Sequence, residues 1–112
     1  MMTTAAERQI FLQNTLRERI LILDGACGTM VQKHNLTERD YRGERFCDSP
    51  RDLKNNNDLL VLTRPDIIRG IHAAYAAAGA DILTTSSFSA TSIGQHEFFH
   101  PGAAAVKHDQ SY

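Results

Sequence analysis

Ile20-Leu21-Ile22-Leu23-Asp24-Gly25-Ala26-Cys27-Gly28-Thr29 passes from four aliphatic residues directly into a polar turn carrying two glycines. Four consecutive apolar side chains, two of them β-branched, suit a short strand buried on both faces. Asp24-Gly25 ends it. The same transition recurs where Ile82-Leu83 meets Thr84-Thr85-Ser86-Ser87. A helix-like stretch closed by Gly79 separates the two. Strand, helix and strand in that order predict parallel strands with covered faces, whose carboxyl ends present polar groups to a ligand.

The intervening helix carries the clearest local signals. Thr63 is the predicted N-cap, Pro65 suits the first turn and Asp66 is placed to cap reciprocally. Ile67, Ile71, Ala74 or Tyr75, and Ala78 trace one apolar face, and Gly79 fits the left-handed position after the last turn. Ala73, Ala76 and Ala77 are small enough to let this helix approach a sheet. Nearer the amino terminus, Thr4 and Glu7 are spaced as a capping box for a helix over Ala5 to Arg17. From Lys33 to Leu59 the chain is polar and aperiodic. Within it Thr37 and Asp40 predict a short helix over Glu38 to Arg42, Gly43 and Pro50 prevent a longer one, and Asn55-Asn56-Asn57-Asp58 reads as a turn. So long a segment without a strong element points to a functional loop. Arg42, Glu44 and Arg45 are expected to organise it through ion pairs. Beyond Phe88, Ala90 to Gln95 opens a further helical stretch that Pro101-Gly102 stops; Ala103 to Val106 is too short for an element, and Lys107 to Tyr112 reads as a loose end.

Charge and composition exclude several classes of partner. Twelve basic against thirteen acidic residues leave a net charge of -1, without the field that nucleic acid or an anionic membrane requires. No apolar run approaches the roughly 20 residues of a membrane span. Glu7, Arg8, Gln9 and Gln13 interrupt the apolar core a secretion signal would need, so the expected location is cytoplasmic. Cys27 and Cys47 are expected to be free thiols. Twenty residues apart, they match no compact zinc spacing, and His34, His72, His96, His100 and His108 form no His-Glu-x-x-His motif. No metal is expected to bind this chain alone.

Candidate ligand contacts gather at the two strand ends. Asp24 offers a carboxylate to a substrate ammonium; a turn carboxylate bonding its own loop is the competing reading. Gly25 and Gly28 permit close backbone approach to a small ligand, and tight turning alone explains them almost as well. Thr29 supplies a hydroxyl or simply a surface turn. Thr84, Thr85 and Ser86 occupy the matching lip of the second segment, where Ser and Thr also commonly satisfy backbone groups. The glycines lack the Rossmann arrangement and there is no P-loop lysine, which argues against a nucleotide.

Ile22 to Met30, Asp40-Tyr41-Arg42-Gly43-Glu44-Arg45-Phe46 and Asn56-Asn57-Asp58-Leu59-Leu60, followed in register by Pro65 to Ala78 and Gly79-Ala80-Asp81-Ile82, resemble the homocysteine S-methyltransferases over about residues 8 to 97. The likeness is to the start of the homocysteine-binding domain in the cobalamin-dependent methionine synthases. Cys27 stands where that family commonly has Met, Asn55 where it has Gly, and Thr84-Thr85-Ser86-Ser87-Phe88 where it reads Glu-Thr-Asn-Thr-Phe. The resemblance implies an α/β chain: the incomplete N-terminal part of a (β/α)8 barrel, with an N-terminal helix and about two parallel strands. It divides the chain into a helical segment over 1-19, a partial homocysteine-binding domain over 20-97, and a divergent tail over 98-112. It also implies homocysteine as substrate, with Asp24, Gly25, Gly28, Thr29, Thr84, Thr85 and Ser86 in contact with it. Transfer of a methyl group from methylcobalamin or 5-methyltetrahydrofolate would then give methionine. In full-length relatives zinc is held by cysteines late in the barrel, and further modules bind cobalamin and folate; neither cofactor is expected on this chain alone. The alternative is an inactive remnant, or a structural fragment that binds an amino acid weakly.

Overall fold

A computed structural model describes residues 3-99. The expectations for Pro101-Gly102, Ala103 to Val106 and Lys107 to Tyr112 lie outside the described residues. Helix α1 spans Ala5–Glu18, α2 Gly28–Gln32, α3 Glu38–Arg42, α4 Leu60–Thr63 and α5 Pro65–Ala77, with a 3-10 turn at Asn57–Leu59 before α4.

Local signals set most helix ends. Thr4 caps α1, accepting from the Glu7 N–H at 3.1 Å while Glu7 accepts from the Thr4 N–H at the same distance. Thr37 and Asp40 form the corresponding box on α3. Gly79 adopts φ 108° just beyond α5, and Asn55 takes φ 76° in the turn before the 3-10 segment. The start of α5 differs from expectation. Arg64, not Thr63, is the N-cap, and it makes no side-chain capping bond. Asp66 instead receives the Arg64 guanidinium at 3.0 and 2.9 Å, and the same guanidinium reaches Asp40 on α3 at 2.9 Å. Ala90 to Gln95 forms turns, not a helix.

The core is built by the short helices. Val31, Tyr41, Leu53, Leu59, Leu60, Ile67, Ile68 and Ile71 are buried together. Helix α5 lays Ile67, Ile68 and Ile71 against α4 and α2. Ala73, Ala76 and Ala77 face solvent, with no sheet behind them. Phe46 and Phe99 close one side edge to face, their ring centroids 6.1 Å apart. The aperiodic stretch is tied down from α3. Arg42 pairs with Glu38 at 2.6 Å and donates to the carbonyls of Ser49 and Arg51, while Glu38 accepts from the Leu53 and Lys54 N–H groups. Of the three residues expected to organise this loop by ion pairing, Arg42 does so.

The α/β expectation is overturned. No strand forms among the described residues, so neither the partial (β/α)8 barrel nor its two parallel strands is present. What remains is one isolated parallel bridge between Leu23 and Ile82. There the Asp24 N–H donates to the Ile82 carbonyl at 3.0 Å, and the Asp81 and Ile82 N–H groups donate to the Ile22 carbonyl at 2.7 and 3.2 Å. The physical reason is lack of cover. Ile20 is 85% exposed and Leu23 62%, so lengthening the ladder would order backbone without burying side chains. Helix α1 buries no residue and is joined to the rest through Arg19, whose guanidinium grips Asp81 at 2.9 and 2.7 Å.

Candidate functional site

The bridge, though short, brings the two polar turns together. They border an open cleft of about 480 Å³, lined elsewhere by the Asn55 to Asp58 turn, the carboxyl-terminal half of α5, and Phe88, Ser89, Gly94, Glu97 and Phe98. Asp24, Gly25, Gly28, Thr84, Thr85 and Ser86 line this cleft. Thr29 does not; it lies exposed on α2.

Asp24 is already engaged. Its carboxylate accepts the Thr84 N–H at 2.9 Å and the Thr84 hydroxyl at 2.8 Å. The Thr84 N–H, then its hydroxyl, then nearby His72 together hold the Asp24 carboxyl below the usual aspartate range, against a smaller opposing effect of desolvation. An ionised carboxylate therefore faces the cleft at neutral pH. Thr85 and Ser87 share a 2.7 Å hydroxyl contact. Cys27 also lines the cleft, and burial pushes its thiol up, so it stands there as a neutral thiol.

Several cleft residues carried no functional expectation from the sequence. Tyr75 donates its hydroxyl to the Ala26 carbonyl at 2.6 Å, pinning the turn that follows Asp24. This contact accounts for Gly25: a Cβ there would stand 3.0 Å from the Tyr75 hydroxyl oxygen and 3.2 Å from the Cε1 ring carbon. The close approach that glycine permits is to tyrosine. At Gly28 a Cβ would meet only the Asn57 amide nitrogen, at 3.8 Å, an ordinary contact. His72 stands between the cleft and a neighbouring cavity, and its Nδ1 is shielded from solvent without a hydrogen-bond partner. Asp58 accepts the Ser89 N–H, and Asn57 accepts the Tyr41 hydroxyl at 2.9 Å. Asn56, which lines the cleft, and Gln95, which lines the neighbouring cavity, bond reciprocally through their buried amides at 2.6 and 3.1 Å. The available signal was helical spacing: His72 and Tyr75 follow Ile68 and Ile71 by four residues, carrying the core stripe of α5 to the cleft.

The donor set does not fit a zinc ion. Among the described residues no group of three or more His, Cys, Asp and Glu side chains converges. Cys27 lies in the cleft, while Cys47 is exposed and does not line it. The barrel, and the zinc that the resemblance implies for full-length relatives, have no counterpart among the described residues, and no site for cobalamin is evident among them. No described helix is long and apolar enough to cross a membrane.

The cleft is thus lined by the carboxylates of Asp24, Asp58 and Glu97, by hydroxyl-bearing residues that include Thr84, Thr85 and Ser86, and by the neutral Cys27 thiol. The chain belongs to the homocysteine S-methyltransferase family, whose model, described as Homocysteine S-methyltransferase, matches residues 21-109.

Proposed function

We propose that this chain binds a small amino acid weakly in the cleft at Asp24 and does not itself carry out methyl transfer. The observation that carries this reading is the ionised Asp24 carboxylate, set beside Thr84, Thr85 and Ser86. A carboxylate of this kind complements an ammonium, and the hydroxyls complement an α-carboxylate. Family membership makes homocysteine the first ligand to test. Weakness follows from competition, since both Asp24 oxygens already accept from Thr84 and an incoming ammonium must share them.

Participation in the family's transfer reaction, with methylcobalamin or 5-methyltetrahydrofolate as methyl source, is the second reading, and the family match favours it. The non-catalytic reading is preferred because one parallel bridge provides little rigidity for aligning reacting atoms. Titration of the full chain with homocysteine, followed through backbone amide resonances, tests the proposal. Saturable shifts at Asp24 and Thr84 with a Kd of roughly 1 mM are expected, without methionine formation when methylcobalamin is supplied. Unmoved resonances would defeat the binding claim, and methionine formation the non-catalytic one.

A further inference from the structure

A second cavity, of about 470 Å³, lies against the first and shares His72, Asp58 and the Thr85 to Ser87 segment with it. Its character is different. Leu59 and Ile68 provide a buried floor, and Val61 and Leu62, each nearly half exposed, line it toward solvent. Arg45 also lines this cavity and is exposed.

Arg45 is one of several arginines without a carboxylate partner among the described residues, and it is the one that lines this cavity. Arg19, Arg42 and Arg64 are each held by carboxylates within 4 Å, whereas no carboxylate among the described residues pairs with Arg45. Its guanidinium rests over the Phe46 ring, 5.5 Å from the centroid, which leaves its in-plane N–H donors available. Asp58 is the acidic side chain on the cavity lining, and one of its carboxylate oxygens accepts the Ser89 N–H.

An apolar chamber with an unpaired guanidinium complements an anion with a hydrocarbon body. We propose that this cavity binds a small aliphatic carboxylate, its chain against Leu59, Val61, Leu62 and Ile68 and its carboxylate paired with Arg45. The site is told apart from the amino-acid cleft by Arg45, which does not line that cleft, although the two cavities share a wall through His72, Asp58 and the Thr85 to Ser87 segment.

Octanoate is the probe, compared with octylamine, which has the same chain length and the opposite charge. Both are titrated below their micellar range into the full chain, with the Val61 and Leu62 methyl resonances as readout. Octanoate is expected to bind about tenfold more tightly than octylamine, and Arg45→Gln to weaken octanoate by about fivefold. Homocysteine shifts at the Asp24 and Thr84 amides in Arg45→Gln should match those of the unmodified chain, showing that the variant is folded. Equal binding of the two probes overturns the proposal, even if the variant cannot be prepared. An unchanged octanoate affinity in a folded Arg45→Gln overturns it as well. Failure of homocysteine to bind bears only on the other cleft.

Discussion

Asp24 and Thr84, sixty residues apart in the chain, are joined by two hydrogen bonds: the Asp24 carboxylate accepts the Thr84 N–H at 2.9 Å and its hydroxyl at 2.8 Å. They connect the polar turns that follow Leu23 and Leu83, so one side chain both closes the turn pair and charges the cleft. Replacing the carboxylate with an amide separates these roles. Asp24→Asn retains an acceptor for Thr84 and removes the charge an ammonium would meet. Homocysteine affinity is expected to fall about tenfold, a charge-assisted bond giving way to a neutral one. Thr84→Val, which keeps the backbone donor and the Asp24 charge and frees one carboxylate oxygen from competition, should leave homocysteine affinity close to that of the parent. Amide-resonance titrations of both variants measure the difference.

The other aspartate near the bridge governs acid behaviour. Asp81 takes the Arg19 guanidinium and the Ile22 N–H at 2.9 Å, and these donors lower its carboxyl from 3.8 to about 2. A carboxyl depressed in the folded state stabilises it fully above the unfolded value and loses that contribution as pH falls through the folded value. The tether holding α1 is therefore expected to persist down to about pH 4 and to release as the pH approaches 2. The Asp81 carboxyl carbon resonance should titrate with a midpoint of about 2, returning toward the ordinary aspartate value in Arg19→Gln.

Structure set within a few residues could be read directly from this sequence. The Thr37–Asp40 box and the left-handed Gly79 are decided by side chains adjacent to the groups they satisfy. The strands could not be read in this way. Ile20 to Leu23 has the composition of a buried strand, but burial depends on distant segments, and here Ile20 and Leu23 face solvent around a single bridge. The cleft lies between these cases. Its two polar lips were visible as strand-end turns, and they meet because that one bridge is in register. Asn56 gave a misleading signal: a run of four Asn and Asp residues reads as a solvated turn, and nothing local indicates that Gln95, thirty-nine residues on, buries one of its amides.

The two glycines after Leu23 are expected to respond differently to one added methyl group. In Gly25→Ala the Cβ presses on the Tyr75 ring and disturbs its 2.6 Å bond to the Ala26 carbonyl. A loss of about 1 kcal/mol of stability is expected, from strain and the weakened hydrogen bond. Gly28→Ala, with only the Asn57 amide at 3.8 Å and a position at the start of α2, should be neutral or mildly stabilising. Urea denaturation followed by far-ultraviolet circular dichroism compares them. A Gly25→Ala variant as stable as the parent would show that Tyr75 yields freely.

The Asn56–Gln95 pair allows the sharpest test of what holds the cleft lining. Asn56 is 3% exposed and Gln95 1%, and Gln95 also donates to the Ser89 carbonyl at 3.0 Å. Truncating either residue to alanine strands the partner's amide away from water, at an expected cost of about 1-3 kcal/mol beyond the packing lost. Once one member is gone, removing the second deletes the group that had been stranded. The double variant Asn56→Ala/Gln95→Ala should therefore cost less than the two single losses combined, by a coupling of about 0.5-3 kcal/mol. The Ser89 carbonyl loses its donor whenever Gln95 is replaced, so Gln95→Ala should be the more damaging single change. Equilibrium denaturation of the four proteins gives the cycle. Additive losses would mean that the two amides do not rely on each other, leaving packing alone to support the cleft lining.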